Sequence, residues 1–241
     1  MLTSDGSSIA SGSACVYTLP HDPTCASRAR SLLATTMKEL RFCGDVVADA
    51  EIAVSELATN ALTHASTTAP AELWIWARSR PTPQLVVSVF DAHPESRPVL
   101  SGAGLLEEHG KGLAIVSALA VATGTHRTRS RTGAVVPGKS VWFTVPLPMP
   151  WPAPATLVPP ALAAARLREA LNGRGIPTAH RSDNRGITII NAGTLNVWVQ
   201  PTAFAWCDDH GYARLPLSDL QEATERIVSC LESGRPPVAP A

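Results

Sequence analysis

The sequence has little of what marks a secreted, membrane or nucleic-acid-binding protein. Its 241 residues include 20 basic and 20 acidic side chains, so no net charge attracts nucleic acid or an anionic membrane. No apolar run approaches the roughly 18 residues that span a membrane. The five cysteines are an odd number without a Cys-x-x-Cys pair, which argues against both a disulfide framework and a zinc site. These absences predict a soluble, cytoplasmic protein.

One stretch, residues 50–66, combines a helical apolar pattern with polar side chains suited to chemistry. Its apolar residues recur at helical spacing and form one broad arc. Glu56, Asn60 and His64 are spaced four apart at the margin of that arc, so they form one row along the helix. A carboxylate one turn from a carboxamide can orient a water while the amide oxygen binds Mg²⁺. The alternative is an ordinary solvated edge of a helix, because short motifs recur by chance.

The pattern then changes from a helical period to alternation. Residues 72–77 and 84–90 are rich in β-branched and aromatic side chains and predict two strands joined as a hairpin. Asp91 follows the second strand directly and opens a proline-containing loop. A carboxylate at the end of a core strand can accept a hydrogen bond from an amino group such as that of adenine. The alternative is an ordinary turn-forming aspartate.

Lysine is scarce, and one of the three lysines lies among glycines. Residues 101–112 contain four glycines and Lys111, and they lead into an apolar helix over residues 113–122. Glycines before a helix let backbone N–H groups approach an anion, and the helix N-terminus adds a favourable dipole. The stretch is therefore a candidate phosphate site, with a flexible loop and a C-cap glycine as the alternative.

Residues 133–140 fit the P-loop pattern, with Lys139 in the lysine position. A P-loop binds phosphate only when a helix follows it, so that the helix N-terminus faces the phosphates. Here residues 141–145 are β-branched and aromatic and lead into Pro146, which predicts a strand. We therefore interpret this stretch as the approach to a strand.

Arg127, Arg129 and Arg131 alternate along another predicted strand. No aromatic residues lie between them, so we interpret the three as the solvated face of an edge strand and not as a nucleic-acid patch.

Taken together, residues 15–147 resemble the ATP-binding domain shared by gyrase-type ATPases and histidine kinases, and most closely the anti-sigma-factor serine kinases of bacteria. Residues 56–65 resemble the family's N box, Asp91 its adenine aspartate, residues 110–113 its second glycine box, and residues 138–143 its closing strand. The resemblance implies an α+β two-layer sandwich, in which helices cover one face of a mixed, mainly antiparallel sheet and ATP and Mg²⁺ bind between the layers.

The resemblance also assigns roles. Glu56 would be the catalytic base, Asn60 the Mg²⁺ ligand and Asp91 the acceptor of the adenine amino group, supported through water by Thr144. Gly110, Lys111 and Gly112 would surround the phosphates, and Gly104 would belong to a short lid. The implied cofactor-binding set is Asn60, His64, Asp91, Gly104, Gly110, Lys111, Gly112, Leu113 and Thr144.

Two classes of function follow. The chain is either a serine/threonine protein kinase that phosphorylates an antagonist protein and sequesters a sigma factor, or a nucleotide-gated interaction module with negligible turnover. The resemblance implies ATP as ligand, a sigma factor or its antagonist as partner, and a homodimer. It implies no direct contact with nucleic acid or membrane.

The remaining segments predict the domain organisation. Residues 1–14 read as a disordered Ser/Gly-rich tail, and residues 148–160 as a Pro-rich linker after the ATP-binding domain. Residues 161–241 predict a small α-β-β-β-α accessory domain, which carries no catalytic constellation. Its role is open between protein binding and ligand binding.

Overall fold

A computed structural model of the chain describes residues 2–3, 9, 12–63, 69–94, 111–151, 158–182, 187–209 and 211–234. These residues form two sheets and the helices that cover them. The helices are α1 (Cys25–Glu39), α2 (Gly44–Thr63), α3 (Lys111–Leu119), α4 (Pro160–Asn172) and α5 (Leu220–Ser233). The strands of the first sheet are β1 (Leu2–Thr3), β2 (Ala14–Thr18), β3 (Glu72–Arg78), β4 (Gln84–Asp91), β5 (Ala122–Arg129) and β6 (Pro137–Pro146).

The first sheet has the order β1-β2-β3-β4-β6-β5, and all neighbours are antiparallel except β1 and β2. Its strands alternate between two apolar clusters, as the period of two requires. Leu85, Val87 and Val89 of β4 pack with the buried residues of α1 and α2, while Val86 and Phe90 belong to a cluster on the opposite face. The predicted hairpin of β3 and β4 and the predicted helix layer on one face of a mixed sheet are confirmed.

Part of the stretch predicted as a disordered tail, residues 1–14, is described by the structure. Leu2 and Thr3 pair in parallel with Ala14 and Cys15, and Ile9 is buried in the core shared with α1 and α2. The composition of the segment does not reveal these contacts, because they depend on residues elsewhere in the chain.

The second sheet has five strands where three were predicted. Its strands are β7 (Thr178–Ser182), β8 (Thr188–Ala192), β9 (Leu195–Val199), β10 (Ala203–Asp208) and β11 (Gly211–Pro216), in the order β11-β10-β9-β8-β7. The three predicted strands are the central ones. The two missed strands, β7 and β11, are the edges of the sheet and are largely exposed, so their sequences lack the apolar alternation that identifies a strand.

Helix α5 lies between the two sheets and is buried on both sides. Ala223, Ile227 and Val228 pack in the core of the second sheet. Glu222 and Glu225 instead face the first sheet, where the indole N–H of Trp76 donates to Glu222 at 3.1 Å and the hydroxyl of Thr128 donates to Glu225 at 3.1 Å. The outer face of the first sheet, opposite α1 and α2, is therefore covered by a charged helix face.

This junction overturns the interpretation of the arginine strand. β5 is an edge strand, as predicted, but Arg129 is not solvated: its Nε donates to Glu232 at 2.6 Å and its Nη1 donates to the carbonyls of Arg174 and Gly175. The basic strand β5 and the acidic helix α5 are therefore complementary in charge.

Within the described residues, no helix is both long enough and apolar enough to cross a bilayer.

Candidate functional site

Helix α2 carries the first two candidate residues at the edge of its buried face. Ala53, Leu57 and Ala61 are buried in the core, while Glu56 and Asn60 are half-buried one turn apart. The packed apolar arc fixes the rotation of the helix, so both polar side chains project from the same edge.

The start of α3 lies against Glu56. An added Cβ on Gly112 would come within 2.4 Å of Glu56 Oε2, so the glycine leaves the space that the carboxylate fills. Gly112 is the second residue of α3, and the backbone N–H groups of a first helical turn have no partner inside the helix. The structure thus joins two of the predicted site residues, which lie far apart in sequence, and places a carboxylate beside a helix N-terminus.

Leu113 has a structural role at this point. It is half-buried and packs against the core of α1 and α2, and Val116, one turn later, is 1% exposed. These contacts hold the first turn of α3 against α2. The packing of Leu113 and Val116 therefore fixes the position of Gly112 next to Glu56.

Asp91 ends β4 on the face that carries the helices, as the alternation from Val87 and Val89 requires. It is only 5% exposed and is already engaged. The Nζ of Lys139 lies 3.0 Å from Oδ1 and 2.9 Å from Oδ2, and the backbone N–H of His93 donates to Oδ1 at 2.8 Å. A carboxylate has about four lone-pair positions, so one remains for a further donor.

The partnership of Asp91 and Lys139 was missed by sequence reasoning. Lys139 lies on strand β6, which confirms the rejection of a P-loop helix, and its register places it directly opposite Asp91. Its Nζ also donates to the carbonyl of His93 at 3.0 Å. Lys139 is therefore at the end of the site where a base would bind, and not where a P-loop lysine would contact phosphates.

Gly138 explains how the two strand ends approach so closely. An added Cβ there would lie 2.2 Å from the backbone oxygen of Asp91 and 2.4 Å from the ring of Phe90. No side chain larger than hydrogen fits, since backbone and a buried ring cannot move aside. The glycine of the closing strand thus serves strand packing beside Asp91.

The structure does not bring Thr144 to the site. Thr144 pairs with Val86, whose side chain belongs to the cluster on the outer face, and its hydroxyl donates to the carbonyl of Ala122 at 3.4 Å. It also lies five positions beyond Lys139 along β6, roughly 17 Å at about 3.4 Å per residue. The expectation that Thr144 supports adenine is therefore wrong. The motif match fixed the strand but not which face each residue occupies.

Three further candidates, His64, Gly104 and Gly110, lie outside the described residues, as does the side chain of Lys111. The geometry above consequently depends on Glu56, Asn60, Asp91, Gly112 and Leu113, with Lys139 added.

Comparison with known proteins identifies the family of the domain that carries these residues. The family model for the histidine kinase-like ATPase domain matches residues 19–144, which is just over half of the chain. The chain belongs to the histidine kinase-like ATPase family. The matched span includes α2, β4, α3 and all but the last two residues of β6, so each described candidate residue lies inside it.

Among solved structures, the chain is similar to the histidine kinase domain of the blue-light activated histidine kinase EL346 from Erythrobacter litoralis. The match has 21% identity and a TM-score of 0.28, and it covers 49% of this chain and 61% of that one. The chain therefore spans less than two thirds of that domain. No curated protein matches the chain.

Membership of the histidine kinase-like ATPase family implies ATP binding. Among the described residues, no group of three or more His, Cys, Asp or Glu side chains could hold a metal ion. The unpaired backbone N–H groups at the start of α3 can donate to an anion, and the buried carboxylate of Asp91 can accept from an amino group. Mg²⁺ commonly binds through one protein ligand together with substrate phosphates, and Asn60 stays the predicted ligand.

Proposed function

We propose that this histidine kinase-like ATPase domain is an anti-sigma-factor-type serine/threonine kinase, which transfers the γ-phosphoryl group of ATP to a hydroxyl of an antagonist protein. The observation that carries the proposal is the approach of Glu56 Oε2 to Gly112 at the start of α3. A carboxylate next to a helix N-terminus combines a base with an anion site. That is the combination that phosphoryl transfer requires.

The roles of the residues follow from their chemistry. The backbone N–H groups at the start of α3 bind phosphate oxygens, and Asp91 accepts from the adenine amino group. Glu56 removes the proton of the attacking hydroxyl while the hydroxyl oxygen forms a bond to the γ-phosphorus. The bond from that phosphorus to the bridging oxygen breaks, and ADP leaves. Asn60 holds Mg²⁺, whose charge offsets that of the phosphates.

The second sheet and the helices α4 and α5, which we call the second unit, are regulatory in this proposal. It covers the outer face of the first sheet, while the nucleotide residues lie on the face with the helices. A sigma factor or antagonist that contacts the helix face therefore does not compete directly with the second unit. Any effect of the second unit on ATP is transmitted through the sheet and its junction with α5.

The role of Asn60 gives a test that does not require the partner to be known. Asn60→Ala removes the amide oxygen, so we expect ATP affinity to lose its dependence on Mg²⁺, while affinity without the metal stays within about threefold. Calorimetric titration of ATP with and without Mg²⁺ measures both. Thr59→Ala is the matched control, because Thr59 directly precedes Asn60 on the same helix and is exposed.

Two results contradict the proposal. If Asn60→Ala keeps the full Mg²⁺ dependence, the metal is held elsewhere. If the phosphoproteome of the native host is the same with wild type and with Glu56→Gln, the chain is a nucleotide-gated interaction module, which binds ATP without transferring phosphate.

A further inference from the structure

A cavity of about 520 Å³ lies between the outer face of the first sheet and the second unit. Its walls come from β3, β4, β5 and β6 on one side and from β10, β11 and α5 on the other, so both units contribute to it. Sites for small ligands measure roughly 300–1,000 Å³ and are lined by aromatic side chains with a few polar groups. The volume therefore suits one small ligand, on the opposite side of the sheet from the nucleotide residues.

Aromatic rings supply much of the lining. Trp76 and Trp206 are buried behind the surface of the cavity, at 2% and 0% exposure. Trp142 on β6 is half-buried, and Tyr212 on β11 is 62% exposed. Because these last two rings keep accessible surface, they can contact a ligand directly. Aromatic faces of this kind favour a flat aromatic partner.

Arg226 on α5 supplies an accessible positive charge. Its side chain is 44% exposed, and its Nε donates to Glu222 Oε1 at 3.0 Å. The same oxygen lies 3.5 Å from Arg78 Nη1, so Arg78 already balances the charge of Glu222. Among the described residues, Arg226 bonds through Nε alone. Its Nη1 and Nη2 therefore remain as a fork of donors for a ligand carboxylate.

Asp208, at the end of β10, supplies the opposite charge. It is half-buried, and its Oδ2 accepts from the indole N–H of Trp206 at 3.1 Å and from the thiol of Cys230 at 3.3 Å. Burial, together with this bond to Asp208, raises the pKa of Cys230 to about 12, so the thiol stays neutral and donates. A carboxylate has about four lone-pair positions, so these two bonds orient Asp208 without using all of its capacity.

The two charged groups are neighbours on the wall. Cys230 follows Arg226 by four residues on α5, so their side chains lie on one face of the helix with about 5–6 Å between the Cβ atoms. Asp208 contacts the thiol of Cys230. Arg226 and Asp208 are therefore about one helical turn apart, which the ammonium and carboxylate groups of an amino acid can bridge.

The third carboxylate on the wall does not change this balance. Glu225 is paired with Arg174 and lies 3.6 Å from His126. The charges left to a ligand are then those of Arg226 and Asp208. An anion alone would be repelled by Asp208 and a cation alone by Arg226, so a ligand with one charge of each sign fits best.

We propose that this cavity binds a small aromatic zwitterion of the aromatic amino acid class. Its carboxylate binds Arg226, its ammonium group binds Asp208, and its ring lies against Trp142 and Tyr212. The ligand contacts both units, so it strengthens their junction. This inference is independent of the proposed kinase activity, because no residue of the nucleotide site takes part in it.

Calorimetric titration of the full chain with L-tryptophan, tryptamine and indole-3-propionate tests the two charges. All three probes carry the indole ring, but tryptamine lacks the carboxylate and indole-3-propionate lacks the amine. We expect one L-tryptophan per chain and binding at least about tenfold weaker for either analogue, since a hydrogen bond to a charged group has that scale. L-Tyrosine and L-phenylalanine, titrated in the same way, show which ring the cavity prefers.

Variants of the wall assign the charges to residues. Arg226→Gln should lower the affinity for L-tryptophan to that of tryptamine in wild type, and Asp208→Asn should lower it to that of indole-3-propionate. Tyr212→Ala should weaken all three indoles, because it removes ring contact and no charge. Arg214→Gln is the matched control, since Arg214 is an exposed arginine on β11 that does not line the cavity.

The melting temperature of each variant without ligand shows whether it folds. Glu222 keeps its contacts to Arg78 and Trp76 in Arg226→Gln, so we expect that variant to fold. If it does not, the three indole probes on wild type decide alone. The proposal is overturned if L-tryptophan binds no more tightly than both analogues, if folded Arg226→Gln binds it as wild type does, or if none of the three amino acids gives saturable heat.

Discussion

Glu56→Gln is expected to lower phosphoryl transfer by roughly 10²–10⁴-fold, which is the usual contribution of a general base. The substitution keeps the shape of the side chain, and Glu56 is half-buried without being part of the apolar core. ATP affinity and thermal stability should therefore change little. Transfer is measured as label moved from γ-labelled ATP to the antagonist protein, and affinity is measured by calorimetry on the same preparations.

Two further variants sharpen this expectation. Gly112→Ala places a Cβ where Glu56 Oε2 lies, and the carboxylate, at the end of a flexible side chain, is expected to turn away at little cost in stability. It should reproduce most of the loss in transfer. Glu51→Gln, on another face of α2, is the control and should transfer at the wild-type rate. Equal rates for wild type and Glu56→Gln would remove Glu56 from the chemistry.

Glu225→Gln is expected to lower the free energy of unfolding by about 3–5 kcal/mol, the scale for breaking a buried ion pair. Glu225 is 3% exposed and accepts from Arg174, which is 2% exposed, so the guanidinium group would be left buried without its counter-charge. Urea unfolding at pH 7 measures the loss. Glu169→Gln, an exposed glutamate on α4, is the control and should change stability by less than about 0.5 kcal/mol.

The pKa of Glu225 predicts that the protein loses stability in acid. Burial alone would raise its pKa, but Arg174 and His126 outweigh burial and hold the pKa of Glu225 at about 2, below the ordinary 4.5. A carboxyl group with a lowered folded pKa contributes stability that is present above its unfolded pKa and lost as pH falls through the folded one. Wild type should therefore lose stability between about pH 4.5 and pH 2. Glu225→Gln should lose less over that range, and equal losses would contradict the assignment.

Local sequence patterns predicted the parts of the fold that depend on one element at a time. The helical arc of α2 orients Glu56 and Asn60, and the alternation of β4 ends at Asp91, so both follow from a period along one segment. The resemblance to the ATPase family then supplied the relation between these segments. The juxtaposition of Glu56 and Gly112 depends on the packing of α3 on α2, which no single period encodes.

What the sequence did not predict depends on register or on polar contacts across the junction. The pair of Lys139 and Asp91 is a cross-strand contact between β4 and β6, and a one-residue shift in register would abolish it. Thr144 lies on the opposite face of β6 from Lys139, which is why the expectation for Thr144 was wrong. The burial of Glu222 and Glu225 on α5 could not be predicted either, because buried and exposed glutamates look alike in sequence.

ATP binding to the helix-covered face, with Asp91 beside the adenine ring, is tested most directly by titration of ATP into an Asp91→Asn, Lys139→Met double variant. Changing both residues removes the ion pair together, so neither charge is left buried alone. We expect saturable ATP binding by wild type and an affinity at least about tenfold weaker for the double variant, because adenine loses a hydrogen bond to a charged acceptor. Equal affinities, or no binding by wild type, would contradict the account.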